Sequence, residues 1–419
     1  MSDPVIIGPA GRAPLTSLSP QLDALRASAR RIAAWPVAGI LDTLDAYGKA
    51  LVESVDTQRL DGVAFLSAWL RRSNLEKTLT LAIGELARLD GFTPAGQAFL
   101  AAKPRGIVAM WMAANVATLP IFSLVPALLT KNAVLMKVGG DFDGMHALLR
   151  VLAQQPGSPS GAELCDCMLV AAFDHRDQAL TRQMSSAADA KVAWGGAEAV
   201  AEIRALPQAP HCVNIAFGPK YSLGVISRDR LAAGDLGGIV RAFVRDIAAF
   251  DQRACSAPHT IFVERSPGVS LRDVGSAFAA ELAALPPKTA LDAYTTVQIL
   301  NARARWSLDS RRDVFASPGS ADWTVCMDEE LELKEAVQSR TIFLTAVDSL
   351  EQVVPLIHPS IQTIGIAFAD VERARRFADL ACSAGAVRCV RPGLMNAHES
   401  PWDGRMLAAD LVRWVVLKP

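Results

Sequence analysis

From about residue 105 the chain alternates short apolar runs with helical stretches: GIVAMWMA, NAVLMKV, CMLVAAF, KVAWGG, HCVNIAFG and YSLGVIS follow one another in this way. Runs of this length suit strands buried on both faces, and the helical segments between them supply the crossovers that parallel strands need. The pattern predicts an α/β fold built on a parallel sheet. Ligands of such sheets bind beyond the carboxyl ends of the strands, so the residues that close the runs matter most. Lys137, Gly195-Gly196 and Gly218 stand there, and Asn115 follows the first run.

One stretch competes with this reading. Residues 106–130, GIVAMWMAANVATLPIFSLVPALLT, are 25 uncharged residues between Arg105 and Lys131, long enough to span a bilayer as one helix. Asn115, Thr118, Pro120 and Pro126 interrupt it, and Ile107 to Met112 have the bulky character of a buried strand, so strand, loop and helix are expected and no membrane span. The 42 Lys+Arg against 43 Asp+Glu leave a net charge of -1 and no global field for nucleic acid or anionic lipid, which points to a small-molecule partner. The start, MSDPVIIGPAGRAP, lacks a basic stretch followed by an apolar core, and the seven irregularly spaced cysteines do not form a disulfide framework. A cytoplasmic chain with reduced thiols is expected.

The first hundred residues read mainly as helices, with Ser19 as cap before Pro20 and Leu22, Leu25, Ala29 and Ile32 at helical spacing. A second region opens near Leu231, where Asp235 is placed to cap a helix whose buried face carries Ile239, Phe243 and Ile247, with Val240 and Val244 beside them. That helix leads into DQRACSAPHTIFVE, in which HTIFVE reads as a strand and Cys255 falls in the connecting loop. Further strands are expected at Arg340 to Leu344 and Ile361 to Phe368, before a loop-rich end, RCVRPGLMNAHESPWDG.

In a polar loop between helix and strand, a thiol can be reached and its thiolate stabilised by backbone N–H groups, so Cys255 is either a nucleophile or a small buried hydrophobe. His259, four residues on, is either its base or, if the strand carries it away, structural. Cys165-Asp166-Cys167 has no second pair at ligand spacing, and the six histidines are scattered singly, so no metal centre is expected. Gly195-Gly196 lets backbone approach a pyrophosphate without completing the dinucleotide fingerprint, and Lys137 is either a solvated surface lysine or a ribose or phosphate ligand.

Taken in order, AANVATLP (113–120), NAVLMKVGGDFDG (132–144), VAWGGAEAV (192–200), HCVNIAFGPKYSLGVIS (211–227), DQRACSAPHTIFVE (251–264) and SPWDG (400–404) resemble the aldehyde dehydrogenase superfamily, and within it the acyl-CoA reductase branch typified by the fatty acid reductase of bacterial bioluminescence. The resemblance implies an aldehyde dehydrogenase-like fold, a Rossmann-type cofactor-binding domain plus an α/β catalytic domain with the nucleophilic cysteine. The organisation expected is a helical lead-in over 1–100 packed on the cofactor domain, an NAD(P)-binding domain over 101–230, a catalytic domain over 231–400 and a C-terminal segment over 401–419. It further implies Cys255 as nucleophile, and Asn115 with the Cys255 backbone N–H as an oxyanion hole. Lys137 would bind the adenosine ribose, Gly195, Gly196 and Ala197 would lie under the pyrophosphate, and Phe217 and Gly218 would pass close to the nicotinamide.

Two departures refine the chemistry. Hydrolytic members carry Glu-Leu-Gly-Gly-Lys where this chain has Ala216-Phe217-Gly218-Pro219-Lys220, so the base that activates water is missing and an acyl-cysteine should persist. The usual Pro-Ser-Glu after the lysine is Val138-Gly139-Gly140, which removes the carboxylate that would repel a 2′-phosphate. The Glu-x-Phe-Gly-Pro of the superfamily is not recognisable near Arg340-Thr341-Ile342-Phe343. The expectation is an NADPH-dependent reductase, with NADH an alternative, taking an acyl-CoA or acyl-carrier thioester to an aldehyde. An acyl-donor enzyme is a further expected partner, and assembly with copies of itself follows the superfamily. The alternatives are oxidative aldehyde dehydrogenation and an acyl-carrying subunit of a multienzyme complex.

Overall fold

The computed structural model describes residues 3–139, 142–288 and 291–419, and the side chain of residue 142 lies outside that description. It divides into two compact units, the first formed by Met1–Pro219 with His398–Pro419 and the second by Lys220–Ala397. In the first, the strands are β1 (Val5–Gly8), β2 (Gly11–Pro14), β3 (Thr93–Ala95), β4 (Ala98–Pro104), β5 (Ile107–Trp111), β6 (Ala133–Val138), β7 (Met168–Ala172), β8 (Ala190–Trp194) and β9 (Val213–Phe217). Seven of them make one sheet in the order β2-β1-β7-β6-β5-β8-β9. Strands β5 to β9 are parallel, and their order, third-second-first-fourth-fifth, is that of a doubly wound dinucleotide-binding sheet, with β5 and β8 flanking the switch point.

Alternation along β5 explains its wholly apolar sequence. Val108 and Met110 join the core with Ile121, Leu124 and Leu128, while Ile107, Ala109 and Trp111 join that of Leu22, Leu25, Leu180 and Met184. The uncharged stretch 106–130 thus becomes β5, a loop and the helix Leu119–Leu129, ten of whose eleven residues are buried. Among the described residues no helix is long and apolar enough to cross a membrane.

The first hundred residues contain the helices Ser19–Ala34, Val37–Glu53, Val63–Trp69 and Arg72–Ile83, but also strands that the helical reading did not foresee. β1 and β2 form a hairpin that joins the sheet antiparallel to β7. These four-residue strands are too short for alternation to show, and β2 is mostly exposed. Ser19 is already the first helical residue and makes no cap with its side chain; Ser17 Oγ accepts the Ser19 N–H at 3.2 Å.

In the second unit the strands are β10 (Tyr221–Ile226), β11 (Pro258–Glu264), β12 (Asp313–Ala316), β13 (Thr324–Asp328), β14 (Thr341–Val347), β15 (Ile361–Ala367) and β16 (Arg388–Val390), in the order β12-β13-β14-β11-β10-β15-β16. All pairings are parallel except β12 with β13. The run YSLGVIS, which alternation groups with the first sheet, is instead an interior strand of the second, next to the central β11, because its partners β11 and β15 follow it in the chain. The chain then returns to the first unit, where β17 (Val412–Leu417) lies antiparallel along β4 in a three-stranded sheet.

The helix Leu236–Ala248 covers the second sheet with Ile239, Val240, Phe243, Val244 and Ile247, the face that sequence periodicity gave it, and Asp235 caps its start by accepting the Gly238 N–H. Gly224 on β10 and Gly365 on β15 are register partners beneath it. A Cβ at Gly224 would come within 2.6 Å of the Phe243 ring, and one at Gly365 within 2.8 Å. The two glycines form a slot for that ring. Gly224→Ala should therefore overpack the slot and cost about 1–3 kcal/mol, read by chemical denaturation, and Phe243→Leu in the same chain should recover part of the loss. Equal stability of Gly224→Ala and the parent would refute the slot.

Candidate active site

The candidate residues fall into two clusters, one in each unit. In the first unit the residues singled out in the sequence gather at the carboxyl edge of the parallel sheet. Asn115 is exposed in the bend after β5, and Lys137 is the penultimate residue of β6, half-buried. Burial lowers the Lys137 ammonium below the ordinary lysine range, while Asp174 pulls it back, and its Nζ lies 5.2 Å over the Phe173 ring. Gly195 and Gly196 close β8, where the Gly195 N–H donates to the Phe217 carbonyl at 3.2 Å and Gly196 is the N-cap of the helix Ala197–Ala205.

A Cβ added at Gly196 or Gly218 would meet nothing within 4 Å, so the backbone at the ends of β8 and β9 borders open space. That space and the helix N-terminus at Ala197 are what a pyrophosphate requires. Beside them a cleft of about 620 Å³ is lined by Trp111, Lys137, His175, Arg182, Trp194 and Glu202 among others, at the carboxyl ends of β5, β6 and β8. Phe217 is buried, its ring stacked on Trp194 at 3.9 Å and 7°. These residues fit a nicotinamide dinucleotide: an ammonium for the ribose, open backbone for the phosphates and an apolar floor for the bases. Gly140, the last residue of the Val138-Gly139-Gly140 departure, lies outside the described residues.

In the second unit Cys255 occupies a turn immediately before β11, partly exposed. Of the other cysteines, Cys165, Cys167, Cys212 and Cys326 are buried, and burial pushes the Cys165 and Cys167 thiols up to about 12. The turn is reached through three consecutive left-handed residues, Phe250, Asp251 and Gln252, with φ of 55°, 50° and 61°. Gln252, wholly buried, holds this conformation: its Nε2 donates to the carbonyls of Pro258 (2.9 Å) and Thr341 (3.0 Å), and its Oε1 accepts the Thr341 N–H (2.8 Å).

A second left-handed triplet, Gln338, Ser339 and Arg340, lies against it, with the Ser339 N–H donating to the Asp251 carbonyl at 3.1 Å and Ser339 Oγ to Asp251 Oδ2 at 2.9 Å. Lys288 Nζ completes the junction 3.1 Å from Asp251 Oδ1. Past this junction, Ser222 Oγ donates to the Cys255 carbonyl at 2.7 Å, and Ser256 Oγ donates to Asn396 Oδ1 at 2.7 Å. Sequence reading missed Gln252, Ser222 and Asn396, since the last two act across 33 and 140 residues and nothing local marks them.

A family model described as acyl-CoA reductase (LuxC) matches residues 37–414. The chain belongs to that family. Relatives of this acyl-CoA reductase family member include the long-chain acyl-protein thioester reductase of Aliivibrio fischeri, 24% identical over 352 residues that cover 78% of this chain and 68% of that one. The long-chain acyl-protein thioester reductase of Photorhabdus luminescens is 26% identical over 327 residues, 75% and 64% of the two chains. Among solved structures, glyceraldehyde-3-phosphate dehydrogenase GapN from Methanocaldococcus jannaschii, complexed with NADP, superposes with a TM-score of 0.71 at 11% identity over 99% and 98% of the two chains. Aldehyde dehydrogenase C from Pseudomonas syringae, complexed with NAD+ and octanal, gives 0.67 at 13% identity over 100% and 93%. At these identities the superpositions establish the aldehyde dehydrogenase fold.

His259 is the second residue of β11, buried, with the Tyr221 ring 5.4 Å away and no hydrogen-bond partner at Nδ1 among the described residues. Burial pushes its imidazole down to about 4, so it is neutral in the folded chain. An unfolded histidine binds its proton near 6.5, so the unfolded state holds more protons between those values and stability falls as pH drops through the window from 6.5 to 4. His259→Leu should remove this dependence: relative to the variant, the parent should lose up to about 3 kcal/mol between pH 7 and pH 4. Denaturation curves that run parallel across that range would show that His259 is not a buried neutral imidazole.

Proposed function

We propose that this chain is an NAD(P)H-dependent reductase of acyl thioesters, with Cys255 as nucleophile, Asn115 as oxyanion donor and NADPH as the preferred cofactor. The observation that carries the reading is Cys255 itself, a partly exposed cysteine on a pinned turn at the head of the central parallel strand, in a chain of the acyl-CoA reductase family. The acyl group is a fatty one, as in the relatives whose names specify long-chain acyl-protein thioesters. Coenzyme A or a protein thiol, supplied by an acyl-donor enzyme, delivers it. The chain works in the cytoplasm, where reduced thiols and NADPH are available, and assembles with copies of itself.

In this mechanism the Cys255 thiolate attacks the thioester carbonyl, the Asn115 amide donates to the oxyanion that forms, and the donor thiol leaves with a proton as the acyl group passes to Cys255. When bound, the nicotinamide cofactor supplies the hydride that reduces the acyl group to an aldehyde. Cys255 departs from the reduced carbon and is regenerated as thiolate. Lys137, with Gly195, Gly196 and Ala197, holds the adenosine ribose and pyrophosphate, and Phe217 and Gly218 border the nicotinamide. Support for NADPH comes from the half-buried Lys137 cation and from Val138 and Gly139, neither of which carries a carboxylate to repel a 2′-phosphate.

Ala216 and Phe217 likewise offer no general base, so water competes poorly for the acyl-cysteine. NADPH consumption with a panel of acyl-CoA chain lengths, the aldehyde being trapped, tests the whole scheme. The parent should form aldehyde and Cys255→Ala none; Asn115→Ala should lower kcat by roughly 10²–10³ with substrate still bound. Absence of aldehyde on every chain with either cofactor would sink the reading for coenzyme A thioesters. Persistence of activity in Cys255→Ala would remove the nucleophile.

A further inference from the structure

We propose that Asp246 and Asn396 are positioning residues, a buried clamp that fixes the Cys255–Ser256 peptide through the Ser256 hydroxyl. The proposal rests on the reading of Cys255 as nucleophile. Its basis is a continuous chain of hydrogen bonds among buried groups. Ser256 Oγ donates to Asn396 Oδ1 at 2.7 Å, Asn396 Nδ2 donates to the Asp246 backbone carbonyl at 2.9 Å, and the Asp246 carboxylate accepts the N–H groups of Gly393 at 2.5 Å and Met395 at 3.2 Å. Exposure of Asp246, Ser256 and Asn396 is 1%, 3% and 4%.

The turn that presents Asn396 is held from its other side by Arg388, whose guanidinium donates to the carbonyls of Leu394 (3.0 Å), Met395 (2.8 Å) and Ala397 (2.8 Å). An acid takes the turn's N–H groups and a base takes its C=O groups. Asn396 is thus presented from a turn held on both its N–H and its C=O groups.

Two features separate this from ordinary loop anchoring. The first is where the restraint falls. The Cys255 carbonyl is held by Ser222 Oγ, which itself accepts the Thr363 N–H at 3.1 Å, and the next side chain, Ser256, is held by Asn396. The peptide plane joining Cys255 to Ser256 is therefore gripped at both ends, and with it the direction in which the Cys255 side chain leaves the backbone. A displacement of about 1 Å at a reacting atom is enough to slow a reaction on the order of 10²-fold.

The second feature is its cost. A carboxylate buried to this degree is expensive, and burial pushes the Asp246 carboxyl up to about 7 even against the backbone N–H groups it accepts. An apolar residue on the buried face of this helix would pack without that penalty, as Phe243, Val244 and Ile247 do around it. What the carboxylate adds is a fixed place for the Gly393–Met395 backbone that carries Asn396.

The experiment compares the parent with Ser256→Ala, Ser256→Thr, Asn396→Ala and the double variant Ser256→Ala/Asn396→Ala, each checked for an unchanged melting profile. Two rates are measured: acylation of Cys255 by a fatty acyl-CoA, and alkylation of Cys255 by iodoacetamide. Alkylation of Cys382, exposed on the helix Val371–Ala384, is the reference within each sample. The clamp predicts a 10- to 100-fold fall in acylation rate for Asn396→Ala with the KM for acyl-CoA within about twofold of the parent. It predicts the same kind of loss for Ser256→Ala, a double variant no slower than the slower single one, and recovery in Ser256→Thr, which keeps the hydroxyl.

The ratio of Cys255 to Cys382 alkylation should move in the variants that break the clamp and stay at the parent value in Ser256→Thr. Losses that multiply in the double variant, or an unchanged ratio, would overturn the proposal. If Asn396→Ala does not fold, Ser256→Ala, which deletes one hydroxyl, decides the matter with its Thr counterpart. A parent that carries no acyl group on Cys255 refutes the functional reading instead, and the alkylation ratio still judges the clamp.

Discussion

The second unit depends on the interlocked left-handed turns at Phe250–Gln252 and Gln338–Arg340. A left-handed conformation costs a residue with a side chain roughly 1–2 kcal/mol, so six such residues against one another need substantial compensation. Gln252 supplies much of it, because its amide replaces main-chain partners at the points where β11 and β14 begin. Each of those buried bonds is worth about 1 kcal/mol, and an unmade one would cost more than that. The consequence is geometric. The helix Leu236–Ala248 is stopped abruptly, the chain reverses, and Cys255 emerges three residues after Gln252 at the mouth of the central strand rather than on a flexible linker.

The first unit solves a different problem by omission. At the ends of β8 and β9 the glycines 196 and 218 leave backbone bare, and the neighbouring Trp194–Phe217 stack provides a firm apolar edge. Phosphate oxygens need close approach to N–H groups, whereas a flat ring needs a surface that does not move, and these are adjacent here. Lys137 adds a half-buried cation at that edge of β6, kept partly desolvated so that its charge is poorly screened.

Much of this was legible in the sequence because it rests on local pattern. The parallel strands were visible as apolar runs, the helix before Cys255 as a periodic face with an aspartate cap, and the stretch 106–130 as strand and helix from its interrupting asparagine and prolines. What stayed hidden depends on residues far apart in the chain. The placement of β10 in the second sheet requires knowing that its partners come later, at 258 and 361. The slot for Phe243 is made by two glycines 141 residues apart whose register is set by the whole sheet, the 141 being 365 less 224. The hairpin at 5–14 is too short for periodicity to register. Among the candidate site residues, Cys255, Asn115 and Lys137 stand out in the sequence by chemical type and by their place near strand ends, while Ser222, Gln252 and Asn396 are ordinary polar residues until the fold brings their partners to them.

On the reading proposed for Cys255, rigidity and the missing base serve one requirement. A thioester on an enzyme thiol is spent usefully only if hydride reaches it before water does. By the resemblance, hydrolytic members of the superfamily carry a glutamate where this chain has Ala216, beside the buried Phe217 and its Trp194 partner, and on that reading Ala216 offers water no base. Suppressing hydrolysis preserves the acyl group but does not make it reactive toward hydride. That depends on the carbonyl standing in one orientation, which the Cys255 backbone decides. Left-handed turns upstream, Ser222 on the carbonyl and Asn396 on the following side chain all restrain that backbone. A chain that gave up the base without fixing the loop would hold its acyl group and do nothing with it.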